Sequence, residues 1–171
     1  YILVMTINCK GQLIDLTWPK VKEIINITPD SFYDGGLYNS EKEVLLQVEK
    51  MQNEGATFID VGAYSSRLNA RHINEDEELK RILPIVDLIL KAFPKSLLSI
   101  DTFRSSVAKQ CIEAGVCMIN DISAGQLDEN MMATIADLNV PYVMMHLKGT
   151  PQTMHQHTDY DNLLKDILNY N

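Results

Sequence analysis

Short apolar runs alternate with longer amphipathic stretches five times along this chain, and that alternation limits its fold more than any single motif does. The runs "EIINIT", "TFIDVGA", "LLSIDT", "CMINDIS" and "PYVMMH" have strand length and lie beside turn-forming residues. After each of them, apolar residues recur at helical spacing. "NSEKEVLLQVEKMQNEGA" carries Val44, Val48 and Met51 on one side, opens on a capping box of Ser40 and Glu43, and closes at Gly55. "NEDEELKRILPIVDLILKAF" has Asn74 as its N-cap and acidic residues in its first turn. Its apolar side is Leu79, Leu83, Val86, Leu90 and Phe93, and Pro84 predicts a kink or a restart within it. "SSVAKQCIEAG", capped by Ser105 and ended by Gly115, "DENMMATIADLN", starting at Asp128, and "YDNLLKDILNY" complete the series.

Strands that alternate with helices imply βαβ units and a parallel sheet. A doubly wound nucleotide-binding sheet would carry a glycine-rich phosphate loop after its first strand, and no G-x-G-x-x-G occurs here. A TIM (β/α)8 barrel instead places polar residues at the C-terminal ends of several strands. This chain does so with Asn26 and Thr28, then Asp60 and Gly62, Asp101, Asn120 and Asp121, and His146. Five units stand where a closed barrel needs eight, so the expected fold is an incomplete α/β barrel, a single domain over residues 1–171. Residues 1–22 show strand alternation around Lys10-Gly11 and predict an N-terminal hairpin across the barrel bottom.

Composition removes several function classes. With a net charge of -8 and no basic stripe, nucleic acid is not an expected partner. No stretch reaches the ~20 apolar residues of a membrane span. The opening "YILVMTINCK" lacks the basic start of a signal peptide. Cys9, Cys111 and Cys117 form no C-x-x-C pair, and read as small buried residues in a reducing, cytoplasmic setting.

Pleating decides which side chains meet. Asp101 shares a face with Ser99, and Asn120 shares one with Met118 and Ile122. A carboxylate and an amide on neighbouring strand ends offer a paired acceptor and donor, suited to a flat heterocycle with an amidine-like edge. Singly, each has a plainer role, Asp101 as a helix cap and Asn120 in a turn. Arg67, between two serines and Leu68 in "GAYSSRLNARH", makes an anion clamp or a solvated loop residue. In "NITPDSFYDGG", Pro29 keeps Thr28 extended, Asp30 and Ser31 favour local turns, and the two glycines loosen the loop into a lid. Asn26 differs: its side chain points to the barrel mouth, where a neutral oxygen can help hold a hard cation carrying phosphates.

Five segments, "NITPDSFYDGG", "IDVGAYSSR", "SIDTFRSSVA", "INDIS" and "MMHLKGTPQTM", together resemble the dihydropteroate synthase family, in that family's order and over nearly the whole chain. The resemblance implies a TIM barrel that condenses 6-hydroxymethyl-7,8-dihydropterin diphosphate with p-aminobenzoate in folate biosynthesis. It implies Mg2+ as cofactor, sulfonamides as inhibitors, and a homodimer at full length. Carried over by position, Asp101 and Asn120 hold the pterin edge, while Ile24, Ile122 and Met145 line its pocket. Asn26 contacts the metal or diphosphate, Ser66 and Arg67 belong to a loop over the diphosphate, and Phe32 lies near the aminobenzoate. Asp60 is a polar barrel residue without a fixed role, and His146 supports the site. His155 and His157 read as solvated.

The chain departs from the family pattern in places. Lys22-Glu23 stands where the family usually has Met-Gly. Ser65-Ser66-Arg67-Leu68-Asn69 replaces S-T-R-P-G, and Leu68 frees the loop of a proline's restriction. The family's later strands supply a further Asp, a Lys and an Arg/His pair that lie outside this sequence, so the chain alone is expected to be inactive. Two other readings are the pterin domain of a methyltetrahydrofolate:corrinoid methyltransferase and a non-catalytic pterin-binding protein.

Overall fold

A computed structural model describes residues 5–27, 37–64, 73–150 and 153–170. The first two strands, β1 (Thr6–Cys9) and β2 (Gln12–Asp15), pair antiparallel around a two-residue turn at Lys10 and Gly11. Both turn residues have positive φ, as a hairpin with right-handed strand twist requires. The hairpin packs Cys9 and Ile14 against Phe58, Leu97, Cys117 and Met118, at the N-terminal starts of the sheet strands. It therefore lies across the bottom of the sheet.

Five strands form that sheet: β3 (Lys22–Asn26), β4 (Phe58–Gly62), β5 (Leu97–Asp101), β6 (Met118–Asp121) and β7 (Tyr142–Met144). They are all parallel and lie in sequence order. Among the described residues the α-helices are α1 (Leu37–Asn53), α2 (Glu75–Ala92), α3 (Ser105–Glu113), α4 (Met131–Leu138) and α5 (Leu163–Tyr170). The arrangement is the incomplete TIM barrel that the alternation predicts. Ile59, Val61, Leu98, Ile100 and Ile119 point outward to the helix layer and are all buried there. They meet Val48 of α1, Ile82, Val86 and Ile89 of α2, Val107 and Cys111 of α3, and Met131 of α4 in one continuous apolar cluster. Among the described residues, no helix is long and apolar enough to cross a membrane.

Several local expectations need correction. Helix α1 begins at Leu37, so Ser40 lies inside it and is not its cap. Helix α2 runs unbroken through Pro84. Pro84 and Lys80 are both exposed, so the carbonyl that proline leaves unpaired faces water and the helix neither ends nor restarts. Its buried stripe is Ile82, Ile85, Val86 and Ile89; Leu79, Leu83, Leu90 and Phe93 flank that stripe and are only partly buried. Asn74 does cap α2, accepting from the Glu77 amide at 2.9 Å.

Helix α3 starts at Ser105 rather than being capped by it, and its cap position, Arg104, makes no side-chain cap bond. The free amide of Ser105 is satisfied from the next unit, by Asp128 Oδ2 at 2.7 Å. Asp128 also accepts from the Asn130 amide, and α4 begins three residues later than the sequence predicts, at Met131. Asp128→Ala is expected to destabilise the chain by roughly 1 kcal/mol, the usual worth of a helix cap. Urea denaturation followed by circular dichroism checks this.

Candidate functional site

Parallel pairing in register sorts the inward side chains into rows. Asn26, Gly62, Asp101, Asn120 and Val143 are successive partners across β3 to β7, one row at the C-terminal end of the sheet. One pleat repeat below lie Ile24, Asp60, Ser99 and Met118, and Lys22 is paired with Phe58 below those. The two rows carry most of the polar groups that the sequence placed at the strand ends.

Asp60 is the centre of the arrangement. It is 1% exposed, and its Oδ2 accepts from Lys22 Nζ at 3.1 Å and from Asn120 Nδ2 at 2.9 Å. Its Oδ1 and the neighbouring Ser99 Oγ have no hydrogen-bond partner among the described residues. A buried acceptor with spare capacity favours a polar ligand or water above it. The amide of Asn120 therefore donates to Asp60, across one strand, and not to Asp101 beside it. Its own Oδ1 remains available toward the mouth.

The Asp101 carboxyl makes no hydrogen bond or ion pair among the described residues. Burial first, then the charge of Asp60, push its carboxyl up to about 7, against the pull of Lys22. Gly62, between Asn26 and Asp101 in the row, leaves them room. A Cβ there would sit 3.3 Å from Asp101 Cβ and 3.6 Å from Asn26 Oδ1, so a side chain would crowd the mouth. Asn26 is exposed, with its amide oxygen beside that gap.

The surroundings hold this face in place. Buried Glu78 of α2 pairs with Arg104 Nη1, Arg104 Nη2 donates to the Ile73 carbonyl at 2.7 Å, and the guanidinium lies 4.8 Å from the Phe103 ring centre. Burial raises the Glu78 carboxyl above the usual range despite the adjacent guanidinium. Asp121 points away from the mouth and organises the turn after β6. It accepts from the Ser123 amide and hydroxyl, the Gly125 amide and the Tyr142 hydroxyl, all within 2.9 Å. His146 packs edge-on against Tyr170 at 4.5 Å and tilted against Tyr160 at 5.8 Å, a supporting position.

The structure brings Asn26, Asp101 and Asn120 into one row and places Ile24 just below it. Ile24 is 56% exposed and Met145 39%, while Ile122 is partly buried in the turn after β6. Thr28, Phe32, Ser66, Arg67 and Leu68 lie outside the described residues. His155 and His157 are exposed, and no cluster of three metal-binding side chains occurs among the described residues. The sequence reading gave Asp60 no partner and Lys22 no role. The signal was the pleat: Lys22 is two residues from Ile24 and so shares its inward face.

Asp101→Asn tests the burial of that carboxyl. Between about pH 4 and 7 the folded chain holds a proton there that the unfolded chain has lost, so stability falls as pH rises through this window. The variant is expected to lose that fall and to be more stable than the parent above pH 7, by an amount on the order of 2 kcal/mol. Urea midpoints at pH 5 and pH 8 measure it.

The sequence pattern of the family described as pterin binding enzyme matches residues 22–171. The dihydropteroate synthase of Haemophilus influenzae is 38% identical over 164 residues, which cover 96% of this chain and 59% of that protein. The mitochondrial folate synthesis bifunctional protein of Pisum sativum is 44% identical over 160 residues, 89% of this chain and 31% of its own length. A crystal structure of the Yersinia pestis dihydropteroate synthase with a sulfonamide drug superposes with a TM-score of 0.84 at 36% identity, covering 97% of this chain and 60% of that one. The chain thus spans about three-fifths or less of the relatives it matches.

Proposed function

This chain belongs to the pterin-binding enzyme family, and we propose that it is the pterin-holding part of a dihydropteroate synthase. The reaction joins 6-hydroxymethyl-7,8-dihydropterin diphosphate to p-aminobenzoate, giving 7,8-dihydropteroate and diphosphate. The observation that carries this reading is the pair Asp101 and Asn120, adjacent on paired strands, each with a binding oxygen not used by the protein among the described residues. The relatives named dihydropteroate synthase support it.

The chemistry divides into holding and leaving. The amine nitrogen forms a bond to the exocyclic carbon of the pterin as the carbon–oxygen bond to diphosphate breaks. The amine's proton goes to solvent or to the departing group. Positive charge on the pterin grows as diphosphate leaves, and the Asp101 carboxylate faces it from a half-dry position where its field is strong. The Asn120 carbonyl accepts from a ring N–H and fixes the ring's orientation. Ile24 and Met145, exposed on the concave side, offer apolar surface for the flat ring.

Asn26 fits a role toward Mg2+. Its single neutral oxygen lies beside the gap that Gly62 leaves, and Mg2+ commonly takes one or two protein oxygens and completes its shell with phosphate and water. Bound there, the metal would offset the charge of the diphosphate. Arg67 and Ser66 would serve the same group, and Phe32 would lie near the aminobenzoate. Three free, buried cysteines suit the reducing cytoplasm.

The chain is expected to bind 6-hydroxymethylpterin, followed by calorimetry, and to lose at least tenfold affinity in Asp101→Asn. Absence of pterin binding would overturn the reading, and preference for a methylated folate would favour the corrinoid methyltransferase. Strands β3 and β7 are the outer strands of the sheet, and the ligand-facing side is open. The 171-residue chain is therefore expected to form no measurable dihydropteroate from the diphosphate and p-aminobenzoate, as chromatography of the products would show.

A further inference from the structure

Cys9 and Cys117 are far apart in the chain and meet beneath the sheet. Cys9 is the last residue of β1, and Cys117 immediately precedes β6. Both are almost wholly buried, in the small apolar cluster that joins the hairpin to the strand starts. Their thiols hydrogen-bond one another, and neither is in a disulfide. Cys111 is placed differently: it lies on α3, inside the main core.

We propose that Cys9 and Cys117 form a modification site: under hydrogen peroxide they join in a disulfide that fastens the N-terminal hairpin to the start of β6. The inference is independent of the pterin reading. Both residues lie at the opposite end of the strands from Asn26, Asp101 and Asn120.

Access comes from the hairpin. Strands β1 and β2 pair with each other and share no ladder with the five-stranded sheet. A two-stranded hairpin has little stability of its own, so side-chain packing in the small cluster is what holds it down. An element attached in this way opens locally at a lower cost than global unfolding. Cys111, enclosed by the main core, has no such route. Clefts flank the hairpin. One of about 850 Å3 is lined in part by Cys9, Lys10 and Ser96, and one of about 240 Å3 in part by Lys10, Gly115 and Cys117. Either is wide enough for peroxide. While the hairpin is closed, burial pushes the Cys117 thiol up to about 12 and raises that of Cys9, so both stay protonated and slow to react. Opening returns Cys9 to water beside Lys10, whose charge favours a thiolate.

The step then balances. The Cys9 thiolate attacks one peroxide oxygen, the O–O bond breaks, and the departing hydroxide takes up a proton to leave as water. Cys9 is now a sulfenic acid. As the hairpin closes, the Cys117 sulfur attacks the Cys9 sulfur. The S–S bond forms as the S–O bond breaks, and a second water leaves with the Cys117 proton. Both sulfurs are oxidised and the peroxide oxygens are reduced. The bridge leaves no buried acceptor bare. The Cys117 thiol gives up the Leu98 carbonyl at 3.2 Å, but that oxygen keeps the Cys117 backbone amide at 3.0 Å. The closed loop runs from Cys9 to Cys117, and restraint of the unfolded chain grows with loop length.

The test uses the folded 171-residue chain, reduced and then freed of reductant. It is treated with hydrogen peroxide, unfolded and alkylated with iodoacetamide. Loss of two of the three thiols is expected. Mass spectrometry of a non-reduced digest is expected to show the Cys9 peptide joined to the Cys117 peptide, with Cys111 alkylated. The urea midpoint of the oxidised chain is expected to lie above that of the reduced chain, and dithiothreitol to return it. Cys111→Ala leaves both readouts in place, and Cys117→Ala removes both. Alkylation of all three cysteines overturns the proposal, as does a link through Cys111 or between two chains. A Cys9–Cys117 bridge that leaves the urea midpoint unmoved also overturns it, because the hairpin is then not what the bridge fastens. Should Cys117→Ala not fold, Cys9→Ser is read against the same outcomes.

Discussion

A parallel ladder without slippage underlies the whole site. Each strand from β3 to β7 is paired directly with the next, so Asn26, Gly62, Asp101, Asn120 and Val143 fall on one line although they span over a hundred residues of chain. A slip of one residue between β4 and β5 would send Asp101 into the helix layer and bring Ile100 to the mouth. The outward face guards against that slip. Ile59, Leu98, Ile100 and Ile119 are each almost wholly buried against helices, and reversing β4, β5 or β6 would place a carboxylate or amide in that layer.

The inward face is the opposite case. It gathers Asp60 and Asp101 into a half-dry space with a single lysine between the strands. Such a cluster adds little to stability, because removing charges from water costs nearly as much as pairing returns. Its value lies in direction. Each hydrogen bond that Asp60 accepts fixes the rotation of another side chain, and the groups left over, the Asp101 carboxylate and the Asn120 carbonyl, point where a planar ligand can use them. In the proposed pterin site, selectivity would arise from what the protein has already bonded and so cannot offer.

The fold was legible because its signal repeats. Five strand-like runs with helical stretches between them, and no phosphate loop, lead to a barrel, and the sheet order follows from right-handed crossovers. The row of Asn26, Asp101 and Asn120 was legible for the same reason, as each stands at the end of its run. What the sequence hid depends on contacts between units. Nothing local says that the Asn120 amide bonds Asp60 two strands away and not Asp101 beside it. Nothing in the first turn of α3 says that its cap comes from Asp128. The stripe of α2 was misplaced because leucines on both shoulders of the helix mimic a buried face, while the isoleucines between them are the residues that touch the sheet.

The bond from Asp128 to the Ser105 amide crosses from one βα unit to the next over twenty-three residues. Helix α3 is thus completed only after a later stretch of polypeptide has arrived and docked. As the chain leaves the ribosome, α3 would wait, unfinished at its start, for Asp128 of the next unit, whereas α2 carries its own cap in Asn74. At that joint the two units close in order, as neighbouring teeth of a zip do.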